Sequence, residues 1–250
     1  QSVLSLAEAN GRSGIWVGTY DAGAMLWRDG RVEAQYTRDG GLPSNEVRAL
    51  LHGRDGQLWI GTTHGLVRIG AGGMRRYTVD DGLPGDYIIS LAEVAGGQVW
   101  VGTGVGLAII EGGAVRKVPL GAAADAESVF AIHEEPETET VWLSTDRGLL
   151  RHRQHDGQLR RIGRAAGLPF DKFFHLVADA QGNYWLTGNR GVIRVSASDA
   201  HARADADQGS LAFELYTEAD GMASAQCNGG SSPAAALRAD GSVWVATALG

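Results

Sequence analysis

The chain has a single cysteine, Cys227, and therefore no internal disulfide. One thiol fits the cytosol, and fits equally a periplasmic domain that needs no bridge. Proline is scarce, at 6 of 250 residues, and there is no low-complexity tract. No apolar run approaches the roughly 20 residues needed to cross a bilayer as a helix. The N-terminus, Gln1-Ser2-Val3-Leu4, lacks the charged and apolar regions of a signal peptide, so any targeting segment is expected outside this chain. Positive charge is not in excess: 22 Lys and Arg stand against 29 Asp and Glu, for a net charge of −7. With no Lys/Arg cluster either, the basic face of a nucleic-acid binder is missing.

What the sequence does have is glycine, 37 of 250 residues, about twice the usual share. High glycine with low proline points to many tight turns rather than disorder. The hydrophobic fraction of 44% and charged fraction of 20% are those of an ordinary soluble protein with ample core.

Tryptophan reveals a repeat. Trp16, Trp59, Trp100, Trp142, Trp185 and Trp244 recur about every 42 residues, with a longer last interval. Each opens a similar phrase, such as Trp16-Val17-Gly18-Thr19, Trp59-Ile60-Gly61-Thr62 and Trp100-Val101-Gly102-Thr103. A second phrase precedes several of them: Gly41-Leu42-Pro43, Gly82-Leu83-Pro84, Gly167-Leu168-Pro169 and, more loosely, Gly221-Met222. Between these marks each unit reads as four strands joined by glycine turns. In the clearest unit they are Val47 to Leu51, Leu58 to Thr62, Leu66 to Ile69 and Arg75 to Val79. A four-stranded antiparallel unit repeating at this period predicts an all-β protein, a β-propeller of four-stranded blades. A β-coil solenoid would need a far shorter repeat, and an immunoglobulin-type sandwich would not repeat internally.

The blades are expected at residues 1–40, 41–81, 82–120, 121–164, 165–218 and 219–250, the last incomplete. That is about five and a half blades, a partial ring whose exposed edges predict self-association. A blade buries its faces only by stacking on its neighbours, so all six Trp residues are read as structural. Each would bury about 150–250 Å² between sheets, a gross gain of roughly 4–6 kcal/mol before entropy is subtracted.

With these phrases in view, the chain resembles the two-component regulator propeller repeat. That repeat runs from a Gly-Leu-Pro turn through an apolar strand and Asp-x-x-Gly to Leu-Trp-x-Gly-Thr-x-x-Gly-Leu. Residues 41–69 match it almost throughout, and 82–110 nearly as well. The fourth unit departs: residues 121–127 stand where the Gly-Leu-Pro turn would be, and the fifth has Gly188 in place of the usual Thr. Phe213 to Tyr216, Asp220-Gly221-Met222, Asn228-Gly229-Gly230 and Pro233 resemble the closing repeat of such propellers. The resemblance implies the periplasmic sensor region of a bacterial signalling protein, with membrane span and histidine kinase or diguanylate cyclase output outside this chain. It implies no cofactor, no nucleic acid, and contact with the membrane only through other segments.

Antiparallel strands send alternate turns to opposite ends of a blade. The turn after each Trp strand and the connection between blades therefore share one end, and there the repeat breaks down. Tyr20, Asp21, His64, Arg147, Asn189 and Arg190 occupy the turns, while Asn45, Glu46 and Tyr87 occupy the connections. Variable polar groups over a regular frame are candidates for binding a small polar ligand, whether sugar, peptide or organic acid.

Catalytic signatures are missing: there is no Gly-x-Ser-x-Gly elbow, no His-Glu-x-x-His and no cysteine pair. Gly102-Thr103-Gly104-Val105-Gly106 lies between two strands rather than opening a helix, so it does not read as a nucleotide loop. His152, His155 and Asp156 read as a solvated turn rather than a metal site. The chain is thus expected not to be an enzyme. The enzymatic alternative is a propeller lyase of the streptogramin type, for which His64 would be the catalytic candidate. A further alternative is a protein-interaction or dimerisation scaffold. The segment from Ser196 to Ser210, rich in Ala, Asp and Ser, fails the calcium-loop pattern and is expected to be a mobile surface loop.

Overall fold

A computed structural model describes residues 2–10, 13–121, 128–206 and 209–249. Five four-stranded sheets follow one another along the chain, each with its strands paired antiparallel in consecutive order. The first holds β1 (Val3–Glu8), β2 (Ile15–Thr19), β3 (Ala24–Arg28) and β4 (Arg31–Tyr36). The second holds β5 (Val47–His52), β6 (Leu58–Thr62), β7 (Gly65–Gly70) and β8 (Gly73–Tyr77), and the third β9 (Ile88–Val94), β10 (Gln98–Thr103), β11 (Gly106–Glu111) and β12 (Ala114–Val118). The fourth holds β13 (Val129–Glu135), β14 (Thr140–Thr145), β15 (Gly148–Arg153) and β16 (Leu159–Ile162). The fifth holds β17 (Phe173–Ala178), β18 (Asn183–Gly188), β19 (Gly191–Ser196) and β20 (Glu214–Tyr216). A two-stranded sheet, β21 (Ala235–Leu237) and β22 (Val243–Val245), completes the described set. The protein is an all-β propeller built of four-stranded antiparallel blades, as the repeat predicts.

The blades fall into two compact units. Gln1–Pro119 with Gly230–Ser232 form the first, and Leu120–Gly229 with Pro233–Gly250 the second. In the first unit, Ser232 runs beside β1: Leu6 N–H donates to the Ser232 carbonyl at 2.8 Å, and Ser232 N–H to Leu4 at 2.9 Å.

The Gly-Leu-Pro phrase has a structural cause. Residues 79–81 make one 3-10 turn capped by the Thr78 hydroxyl, and Gly82 N–H closes it onto the Val79 carbonyl at φ 107°. An L side chain rarely adopts that φ, so the position calls for glycine. The leucine then drops into the core: Leu42, Leu83 and Leu168 are all buried. Two residues beyond the proline a side chain ties the connection down. Asn45 Oδ1 accepts from Arg38 N–H, Asp86 Oδ1 from Val79 N–H, and Asp171 Oδ1 from Arg164 N–H, at 2.7 to 2.9 Å.

Most of the repeated tryptophans do pack between sheets. Trp16, Trp59, Trp100 and Trp142 are buried; Trp16 joins Leu50, Ile60 and Val67 of the next blade, and Trp59 joins Val99, Val101 and Ile110. Trp185 is partly covered. Trp244, in the last described hairpin, is 60% exposed, with the Arg238 guanidinium over its ring at 4.9 Å. Among the described residues no further blade lies against its face.

The segment expected as a mobile loop is corrected. It contains helix α1 (Ala197–Asp205), capped by the Ser196 side chain, with Ala200 and Ala204 buried in the core shared by the fourth and fifth blades. Asp207 and the residues 122–127 that replace the fourth Gly-Leu-Pro turn lie outside the described residues.

Candidate functional site

In the first unit a cavity of about 360 Å³ opens at the end of the blades where β2 turns into β3 and β6 into β7. Tyr20, Arg38, Pro43, Ser44, Asn45, Glu46 and His64 line it, and the lining is mostly polar. Four residues picked from the sequence meet here: Tyr20, Asn45, Glu46 and His64. They are distant in sequence but share one end of neighbouring sheets because each sits on a turn or connection of the same parity.

The side chains are not equivalent. Asn45 is half-committed, since its Oδ1 holds the Arg38 amide at 2.7 Å and only its amide NH₂ remains for another partner. Ser44 Oγ accepts from Glu46 N–H at 3.1 Å and from the Thr63 hydroxyl at 3.1 Å. Thr63 Oγ1 in turn lies 3.0 Å from His64 Nδ1. This relay fixes the imidazole and leaves Nε2 for a ligand. Glu46 Oε1 stands 3.3 Å from Arg48 Nη1, and the Arg48 guanidinium lies 5.7 Å from the centre of the Tyr87 ring. Tyr20 is 59% exposed and offers an open aromatic face.

Arg48 and Arg38 were not legible as site residues in the sequence. Arg48 sits at a β-bulge, where the register of β5 against β6 slips between Val47 and Ala49. A bulge re-aims the extra side chain, and here it sends Arg48 to Glu46 and Tyr87. Equivalent slips interrupt the other first strands, β1, β9, β13 and β17, so the feature belongs to the repeat rather than to one blade.

The remaining predicted residues do not line this cavity. Asp21 is exposed in the same turn as Tyr20, and Tyr87 reaches the site only through Arg48. Arg147, Asn189 and Arg190 belong to the second unit; Arg147 is largely exposed, its Nε 3.7 Å from Asp146. His155 lies 3.5 Å from Asp156, and no cluster of three or more metal-ligating side chains occurs among the described residues.

A different polar network, unforeseen from the sequence, lies in the second unit. Glu135 accepts from His201 Nε2 (2.8 Å), Trp142 Nε1 (3.3 Å) and the Tyr184 hydroxyl. Burial pushes the Glu135 carboxyl up, but these hydrogen bonds and the neighbouring His201 outweigh it and hold it at about 2. Burial and the Glu135 carboxylate push the Tyr184 hydroxyl far above its usual range. On the first strands of the fourth and fifth blades, burial lowers His133, and burial together with His133 lowers His175 to about 4. Partners that fill each other's valences at the helix edge make this network structural, whereas the first-unit cavity keeps unfilled valences.

Comparison with known proteins agrees with this architecture. Residues 41–64 match the family model described as two component regulator propeller. They carry the repeat phrase and line much of the cavity. No curated protein matches the sequence. Among solved structures, the extracellular domain of BT4673 from B. thetaiotaomicron, described as a hybrid two component system, is similar over 98% of this chain and 31% of its own length, with TM-score 0.75 and 19% identity. The corresponding domain of BT3049 from the same organism is similar over 98% of this chain and 38% of its own, with TM-score 0.62 and 18% identity. Virginiamycin B lyase from Staphylococcus aureus covers 98% of this chain and 84% of its own, with TM-score 0.67 and 14% identity. This chain therefore spans about a third of the length of the first two. At these identities the likeness establishes the propeller fold and nothing finer.

Proposed function

We propose that this chain is a ligand-sensing propeller region of a bacterial signalling protein, working outside the cytoplasm, and that its ligand sits in the first-unit cavity. One observation carries the reading: four of the residues that break the repeat at one end of the blades, Tyr20, Asn45, Glu46 and His64, line one polar cavity of about 360 Å³. The family match over residues 41–64 and the extracellular signalling proteins that share the fold support it. No helix among the described residues is long and apolar enough to cross a membrane. The chemistry offered is an aromatic face, a carboxylate, an imidazole and a guanidinium, which suits a sugar, short peptide or organic acid. Such a ligand acts by shifting the population of two conformations according to its differential affinity for them.

The rival reading is a lyase, since a streptogramin-inactivating enzyme shares the fold. His64 would have to be its acid or base. Among the described residues its ring meets Thr63 Oγ1 and no carboxylate, which favours binding over proton transfer. The test is a thermal-shift screen of the whole chain against sugars, amino acids, peptides and organic acids, run beside a mass-spectrometric assay with a streptogramin. A saturating ligand at about one hundred times its dissociation constant adds about 2.7 kcal/mol. A shift abolished by His64→Ala, with the streptogramin intact, is the expected result. Conversion of the streptogramin, or a panel without any shift, would overturn the proposal.

A further inference from the structure

A second cavity of the first unit, of about 190 Å³, opens at the other end of the blades, between the second and the third. Its walls include Trp59 of β6, Arg68 of β7, Gln57 of the β5–β6 turn, Glu93 of β9, Val99 of β10 and Ile110 of β11. Arg68 is directly opposite Trp59 across the two strands, and its guanidinium lies over that ring at 6.0 Å. Its neighbour on β8 is a second arginine, Arg75. Like charges directly opposite on a sheet repel, yet no carboxylate among the described residues forms an ion pair with either.

Two other blades show what this arginine takes. Trp142 pairs with Arg151, and Trp185 with Arg194, in the same register. In the fifth blade β20 places Glu214 opposite Arg194, 2.6 Å from its guanidinium. The fourth blade repeats the arrangement of the second, with Arg160 opposite Arg151. There helix α1 brings in Asp205 at 2.5 Å and the His201 carbonyl at 3.1 Å. That helix lies in the connection between the third and fourth strands of the following blade. In the third blade the same connection is only Gly112-Gly113, and both glycines line the cavity beside Arg68. A side chain at Gly113 would meet the Arg75 guanidinium at 2.9 Å, so glycine keeps that second cation at the cavity's edge.

The facing wall carries the opposite charge. Glu93 Oε2 accepts from Arg54 N–H at 2.7 Å, and no described residue engages its Oε1. Asp55 also lines the cavity, but its two oxygens accept from Gln57 within their own turn. We propose that this cavity binds a free α-amino acid. The ligand carboxylate takes the Arg68 fork, as Asp205 and Glu214 take those of Arg151 and Arg194, and the ammonium donates to Glu93 Oε1. A simple anion would meet the charge of Glu93, and a simple cation that of Arg68, so the site selects a ligand carrying both signs. At about 190 Å³, below the roughly 300–1,000 Å³ of pockets for drug-sized ligands, it suits a small side chain against Val99 and Ile110.

The test is isothermal titration of the whole chain with each standard amino acid at millimolar concentration. At least one with a small side chain should bind. Its N-acetyl and amide forms, each lacking one of the two charges, should bind at least tenfold more weakly. Arg68→Gln and Glu93→Gln should each weaken binding at least tenfold; the Glu93 variant keeps an oxygen for Arg54 N–H, so it removes the charge and not the turn's hydrogen bond. His64→Ala should leave binding unchanged, because His64 lines the cavity at the other end of the blades. No binding by any amino acid, equal binding of the N-acetyl form, or binding that survives either charge-removing variant would overturn the inference. Loss of binding in His64→Ala would also overturn it, by assigning the ligand to the other cavity. A sugar or peptide found to bind at Tyr20 and His64 leaves it untouched.

Discussion

Glu135, at the end of the first strand of the fourth blade, accepts a hydrogen bond of 2.8 Å from His201 of helix α1, 66 residues away. Beside it, Arg151 donates to the His201 carbonyl at 3.1 Å and pairs with Asp205 at 2.5 Å, where Arg153 also converges. The side chain of Arg151 is only 2% exposed, so its charge is matched by one carboxylate at the last residue of the helix. A short polar helix with two buried alanines has little apolar area to hold it, and these contacts dock it on the blade.

Replacing Glu135 by Gln should therefore loosen α1 and lower stability by about 1–3 kcal/mol. The pH dependence has a definite sign. The folded carboxyl lies at about 2 against an ordinary 4.5, so its stabilisation is complete above about 4.5 and is lost as pH falls toward 2. Urea unfolding at several pH values checks this: the wild type should lose stability over that window, and the Gln variant should lose less.

His175 should act in the next window up. Held at about 4 against an ordinary 6.5, it stays neutral in the folded protein while the unfolded chain takes a proton. Stability should thus fall as pH drops from about 6.5 to 4, by about 1.4 kcal/mol per pH unit at most. In His175→Gln that slope should flatten. An unchanged slope would assign it to other groups.

Ligand binding should separate the two sets of residues picked from the sequence. Tyr20→Ala, Glu46→Gln and His64→Ala should weaken a ligand found in the screen at least tenfold, while each shifts unfolding by no more than about 0.5 kcal/mol. Arg147→Ala should leave that affinity unchanged, because Arg147 does not line the cavity. Isothermal titration of the four variants decides it.

The tryptophans should not be equal. Trp142→Ala removes a fully buried ring and should cost about 3–5 kcal/mol. Trp244→Ala removes one that is 60% exposed and should cost under about 1 kcal/mol. Denaturant midpoints of the two variants measure the difference directly.

Gly82→Ala should cost about 1–2 kcal/mol from backbone strain alone. Its φ is 107°, yet a Cβ there would meet only Val115 at ordinary contact distance. A cost near zero, read by the same denaturant midpoints, would mean that the turn has another conformation open to it.

The sequence by itself determined the blade. The strand from Leu58 to Thr62 has the predicted limits, because alternating side chains and glycine turns are local signals. The parity of the turns, read from strand order, also sufficed to place Tyr20, Glu46 and His64 at the same end. Helix α1 was obscured by composition: Ala, Asp and Ser look like a loop, although the Ser196 cap and the spacing of Ala200 and Ala204 were present. Tertiary structure alone decided three things. It brought Arg38 to the cavity and Arg48 against its Glu46, since a turn and a bulge redirect side chains in ways no periodicity records. It turned Asn45 partly inward to hold a backbone amide. And it separated Trp244 from the other repeated tryptophans, because burial depends on what lies against a residue and not on the phrase that contains it.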